Sequence, residues 1–250
     1  MGALSGLLLT VFLQAPASWL AAVVSDAASG KVSLLEPRGT VWSGSARLQL
    51  SGGAGSNDRS LLPDRVNWSI RPTLDGLSIR FAADCCTPKP LSLLVTPGWG
   101  RVRLAVQDGP PAERSVWPAA LLTGLGTPWN TLQVEGQLSL LTQGLSVEWN
   151  QGRLSVAGRA ELLAIDLSSR LSTLKPMGSY RIILAGGNTA TLDVTTIEGS
   201  LQLVGSGQWV GSRLHFEGTA SATPEREAAL SNLLNILGRR NGPRSLIKVG

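Results

Sequence analysis

One histidine, one adjacent pair of cysteines and a thin scatter of carboxylates are what this 250-residue chain offers for bond-making chemistry. His215, the sole imidazole, falls in RLHFEG, where Arg213, His215 and Glu217 alternate with Leu214 and Phe216. That alternation puts it on the wet side of a strand, away from any partner that would make it a general base. Serines are plentiful, yet no GxSxG elbow lifts one up as a nucleophile. Glu161 and Asp166 are the carboxylates to consider for acid–base work, and no third group converges on them. The glycine-rich GSGQWVG at 205–211 lacks the lysine of a phosphate loop. Its context is strand–turn–strand, which makes Gly205 and Gly207 turn glycines. No catalytic set and no cofactor are expected.

Cys85 and Cys86 are neighbours in sequence, a poor arrangement for ordinary disulfide geometry. No CxxC or Cys/His spacing suggests zinc. Two readings stand: small residues at a turn ahead of TPKP, or a disulfide, either vicinal or intermolecular. Arg239, Arg240, Arg244 and Lys248 form the nearest thing to a basic cluster in a chain of net charge +5. Their place after a helix suits its carboxyl end, and anionic lipid or an acidic partner is the alternative. Aromatics are not interleaved with basic residues as a nucleic-acid surface requires.

The tryptophans carry the ambiguity. Trp42, Trp68, Trp129, Trp149 and Trp209 all fall in strands or at their ends. Closed over by a helix, they would be core. Left open on a curved sheet, they would line an apolar groove fit for acyl chains or an extended peptide. Ring size favours burial.

The elements that must hold these rings are short alternating strands. QLSLLTQGLSVEW gives one strand with Leu138 and Leu140 on a face, a turn at 142–144, and a second with Leu145, Val147 and Trp149 on a face. The same grammar recurs at 33–50, 66–83, 100–106 and 191–222, with Gly39, Gly44 and Gly126 punctuating turns. The fold class expected is mainly β: curved antiparallel meander sheets, an open sandwich or a partial barrel. Two β modules fit, 30–107 and 130–250, joined by a linker at 108–129 with a short helix at 112–123. Thr223-Pro224-Glu225 then reads as a helix start, and Leu230, Leu233, Leu234 and Leu237 share one face of an amphipathic helix over 224–237. That helix would cover an apolar sheet face. A short strand at 245–249 closes the chain.

Residues 2–25 hold no charged side chain and are long enough to cross a bilayer as a helix, so 1–25 reads as a membrane anchor. A cleaved signal peptide with Ala15-Pro16-Ala17 as its small-residue site, and a buried helix, are the competing readings. No Lys or Arg precedes the apolar run, an absence that a start further upstream would explain.

Taken together, PASWLA at 16–21, GTVWSGSA at 39–46, LGTPWNTLQVEGQLSL at 125–140 and GSGQWVGSRLHFEGTASATPEREAALSNLLNILGRR at 205–240 resemble the type II secretion system protein N family. The likeness runs from end to end, in order and spacing. It implies a single-pass inner-membrane protein with its main domain in the periplasm, an accessory part of the machine that exports folded exoproteins. Implied partners are the inner-membrane platform, especially its protein C component, the secretin, and membrane lipid; nucleic acid is not among them. The chain is also similar to AsmA-like envelope proteins, which implies a lipid- or glycolipid-binding β groove as the alternative. In an oxidising periplasm, Cys85 and Cys86 would be bridged to each other.

Overall fold

The computed structural model describes residues 12–53, 55–110, 113–211 and 213–250. Among them, fifteen strands form one open antiparallel sheet. Strands β1 (Val32–Gly39), β2 (Ser43–Ser51), β3 (Arg59–Thr73), β4 (Gly76–Ala83), β5 (Leu91–Gly98) and β6 (Arg101–Gln107) follow one another as a meander. After β7 (Ser115–Pro118), the meander resumes with β8 (Glu135–Asn150), β9 (Arg153–Ser168), β10 (Gly178–Ala185), β11 (Thr191–Gly199), β12 (Leu201–Val210) and β13 (Arg213–Ala222). The chain ends with β14 (Arg239–Asn241) and β15 (Arg244–Val249), of which β15 pairs β13 and β14 lies outermost. The edges β1 and β14 do not meet, so the meander expectation holds and neither a sandwich nor a barrel forms.

The segment read as a linker is woven into the sheet. β6 pairs the distal half of β8, Arg101 opposite Asn150, while β7 pairs the proximal half, Ser115 opposite Leu140. β6 and β7 therefore run in line along a single long partner. β8 itself runs unbroken from 135 to 150, so the turn expected at 142–144 is instead a register shift within one strand. Gly144, at φ +59, and Gly158, at φ +80, take up the irregularity that lets β8 stay paired to β9.

Strand alternation sorts side chains into an apolar and a polar face. Helical pieces cover one half of the apolar face. Helix α1 (Ala17–Ala27) lies beside β1 and β2; a 3-10 helix (Ala119–Leu125) and the single turn α2 (Trp129–Leu132) cross the middle; α3 (Glu227–Leu237) covers the far end. Two hydrophobic clusters result. Ala17, Ala46, Leu62, Val66, Trp68, Ala83, Cys86 and Leu121 make the first. The second gathers Ala119, Leu132, Leu138, Ala164, Tyr180, Leu201 and Ala220 beneath Leu230, Leu233 and Leu234. The 3-10 helix bridges them, Ala119 facing one and Leu121 the other, and Trp117 packs against both.

Several sequence expectations need correction in detail. The short helix of the middle segment starts at Ala119, because β7 occupies 115–118. The C-terminal helix opens with a 3-10 turn (Pro224–Arg226) and Thr223 makes no side-chain cap; the helix ends at Leu237, with Gly238 as its cap in extended backbone. Its buried face, Leu230, Leu233 and Leu234 with Leu237 alongside, is as read.

The leader departs further. Residues 1–11 lie outside the described residues. From residue 12 onward the run is not one helix: Pro16 is extended, at φ −68 and ψ 148, and bridges Thr40. Helix α1 starts only after it, and Ala17 is buried against the sheet. Among the described residues no helix is long and apolar enough to cross a membrane.

Candidate functional site: the open half of the apolar face

The motif GTVWSG is a receptacle for rings. Gly39 ends β1 at φ +86, a left-handed conformation that spares only glycine a steric penalty. Thr40-Val41-Trp42 then turn the chain, and the Trp68 indole of β3 donates to the carbonyls of Thr40 at 3.3 Å and Val41 at 3.1 Å. Trp68 is 6 % exposed, so its one polar atom is satisfied and its ring is core. Trp42 is half-buried. It donates to the Phe12 carbonyl at 2.8 Å and meets the Phe12 ring edge-on at 4.8 Å.

The other tryptophans divide. Trp129 begins α2 and packs half-buried against the second cluster. Trp209 is half-buried on β12, opposite Leu214. Trp149 is 58 % exposed. Gly205 and Gly207 stand inside β12 and not in a turn. Their absent side chains make room for Phe216, whose Cζ would lie 2.5 Å from a Cβ on Gly205. Ring accommodation, not chain reversal, explains these two glycines, and alternation alone gives no sign of that difference. Gly44 likewise belongs to β2, while Gly126 does end the 3-10 helix at φ +80.

Among the described residues polar groups do not converge on a reaction centre. His215 is exposed on β13. Glu161 sits between Arg114 at 3.7 Å and Arg181 at 3.5 Å, an ion-pair arrangement that holds β9 to its neighbours. Asp166 lies at a bulge with φ +51. Glu217 is held below the usual carboxylate range by the hydrogen bond and charge of Lys248, 2.8 Å away in the open. Cys85 and Cys86 are joined by a disulfide at the turn after β4, with Cys85 exposed and Cys86 buried, and the Cys86 carbonyl accepts the N–H of Val116 from β7. Among the described residues no cluster of metal-ligating side chains occurs.

What remains is apolar surface. Pro72, Leu77, Val95, Leu104, Val147 and Val156 stand directly opposite one another across six consecutive strands. At about 4.8 Å per strand this row is roughly 24 Å long. A second row toward the hairpin tips joins Pro97, Val102, Trp149 and Leu154. Among the described residues no helix reaches either row: Leu77, Val102, Trp149 and Leu154 are 36, 48, 58 and 61 % exposed. The total accessible surface, 14773 Å², exceeds the roughly 10,600 Å² of a compact protein of 26.2 kDa. An open sheet with half of its apolar face bare accounts for such an excess. Patches of this kind mark interaction sites.

The family model of the type II secretion system protein N matches residues 30–246, the whole sheet from β1 nearly to its last strand. The chain belongs to this family. No curated protein and no solved structure matches it. Membership makes the protein a component of the type II secretion machinery and so associates it with the cell envelope. Within the family match fall GTVWSG and Trp68, the uncovered rows and, Ala17 apart, the buried residues of both hydrophobic clusters.

Proposed function

We propose that this protein is an accessory scaffold of the type II secretion system, held at the inner membrane with its sheet in the periplasm, supporting export of folded exoproteins. The observation that carries this reading is the family match over residues 30–246. The molecule's own features agree with it. A fifteen-stranded open sheet with part of its apolar face uncovered offers a broad surface for partners. The inner-membrane platform, its protein C component and the secretin are the proposed neighbours. The test is deletion of the gene in a host with an active type II system, followed by assay of exoprotein outside the cells. Loss of export, restored by the wild-type chain and accompanied by photocrosslinks from β-sheet positions to platform proteins, is the expected result. Normal export together with no crosslink to any secretion protein overturns it.

A second reading is favoured by the rows ending at Trp149 and Leu154: an AsmA-like module that binds lipid or glycolipid along the bare strip. Native mass spectrometry of the full chain decides it. A stoichiometric lipid that is lost in a Leu104→Asp variant supports the strip as a binding groove, and a lipid-free protein removes this reading.

A further inference from the structure

The hairpin tips at one end of the sheet have an unusual composition. In an antiparallel meander, alternate turns lie at the same end. The turns 40–42, 74–75, 99–100 and 151–152 are all at one end, as the closing pairs Gly39 with Gly44, Thr73 with Gly76, Gly98 with Arg101, and Asn150 with Arg153 show. Turn tips normally carry glycine, asparagine or aspartate. Here Leu74 and Trp99 occupy them, 106 % and 103 % exposed. β4 and β5 are paired neighbours, so these two tips stand about 10 Å apart along the rim.

The apolar surface continues from the tips in both directions. Behind them lie Val102, Trp149 and Leu154 of the uncovered face. On the other side, the described chain begins at the same end: Pro16 bridges Thr40, and Phe12, 58 % exposed, rests on Trp42. The sequence before it, residues 2–11, has no charged side chain. Charge around the rim is mixed in kind but basic in sum, with exposed Arg71, Arg101 and Arg103 against Asp75. Tryptophan favours the headgroup level of a bilayer, and arginine beside it suits anionic headgroups. Beyond β9 the progressive twist of a sheet carries later tips out of the plane of the first ones, and there the β10–β11 turn contains Gly186, Gly187 and Asn188 in place of large apolar residues.

We propose that this rim, centred on Leu74 and Trp99, is a lipid-bilayer contact: the tips enter the headgroup region and set the sheet on end against the membrane. The strip of apolar rows then opens directly at the bilayer surface. This goes beyond anchoring by the leader, because it fixes the orientation of the body and assigns that role to residues outside the leader. It does not depend on the secretion role, which is read separately by export.

The test places the full chain in vesicles of phosphatidylethanolamine and phosphatidylglycerol whose acyl chains carry bromine near their glycerol ends, just below the headgroups. The emission of wild type minus that of Trp99→Phe isolates Trp99; the same subtraction with Trp129→Phe isolates a ring at the opposite end of the sheet. The expected result is a Trp99 component quenched by half or more relative to unbrominated vesicles, with acrylamide access reduced several-fold, and a Trp129 component left unchanged by bromine. Leu74→Asp, at a fully exposed position, should restore most of the Trp99 emission. A Trp99 component that bromine does not quench, and that acrylamide reaches as readily in vesicles as in detergent, overturns the proposal. Equal quenching of Trp129 overturns the assigned orientation.

Discussion

The indole of Trp68 lies over Gly44, and a Cβ on that glycine would stand 2.6 Å from the ring's Cζ2. The same Cβ would also meet the carbonyl oxygens of Arg38 at 2.5 Å and Thr40 at 3.0 Å. Ring and backbone both crowd this position, and the Thr40 carbonyl among them belongs to the turn that accepts the Trp68 N–H. Gly44→Ala is expected to destabilise the protein by about 1–3 kcal/mol, as overpacking does. Thermal unfolding checks it against Gly109→Ala, where a Cβ meets nothing within 4 Å. Equal melting temperatures for the two variants would sink the account.

How much of this was legible beforehand follows from what alternation records. A period of two in strands and of about 3.6 in helices reports which face a residue takes, and Leu138 of β8 and the leucines Leu230, Leu233 and Leu234 of α3 do turn to the core. It does not report what lies across that face. Gly205 and Gly207 look like turn punctuation in sequence, whereas they mark where Phe216 from the next strand crosses β12. The turn assigned at 142–144 failed for a related reason: a glycine at φ +59 inside a bulge keeps a strand going while carrying a loop's composition. Over residues 12–25 the chain departs from the continuous helix that hydropathy suggests, because hydropathy is blind to backbone conformation. Ala15 and Ala17 are apolar since they are buried against the sheet, and Pro16 between them holds an extended bridge. The bare rows of the apolar face were foreseeable only as one of two outcomes, because coverage depends on where the helices lie.

Leu234 is fully buried where α3 meets the second cluster, while Ile236, two residues on, is 45 % exposed. Removing three carbons from a closed site leaves a cavity as well as losing apolar burial. Leu234→Ala is expected to cost about 2–5 kcal/mol, and Ile236→Ala under about 1 kcal/mol. Denaturant unfolding monitored by tryptophan emission makes the comparison. Similar losses at both positions would show that α3 does not pack as described.

Asp108 closes the gap left between β6 and β7. Its carboxylate accepts from the Thr142 hydroxyl at 2.9 Å and from the N–H of Gly144, the residue at the bulge of β8. Asp108→Ala leaves that amide to water, and because the site is exposed the loss should be only about 1 kcal/mol. Hydrogen exchange at Gly144 is expected to quicken roughly fivefold, with exchange in the middle of β12 unchanged. An unaltered Gly144 rate would mean that the carboxylate does not hold the bulge.

Tyr180 is the only tyrosine of the chain, which makes it a clean reporter. It is 3 % exposed and donates its hydroxyl to the Leu201 carbonyl at 3.1 Å, tying β10 to the start of β12. Burial penalises the phenolate and pushes its pKa well above the ordinary value of 10.0. A group whose pKa is raised on folding contributes stability in full below its unfolded pKa, and the contribution is lost as pH rises from there through the folded value. Stability should therefore hold up to about pH 10, the unfolded pKa of tyrosine, and decline above it. The phenolate absorbance should appear together with unfolding, not before it. Tyr180→Phe leaves the Leu201 carbonyl without its donor and should cost about 1–2 kcal/mol at neutral pH, while removing this alkaline decline. Ultraviolet titration beside circular dichroism decides the matter: phenolate formed near pH 10 in a protein that stays folded would show that Tyr180 is open to water and that the second cluster is not closed over it.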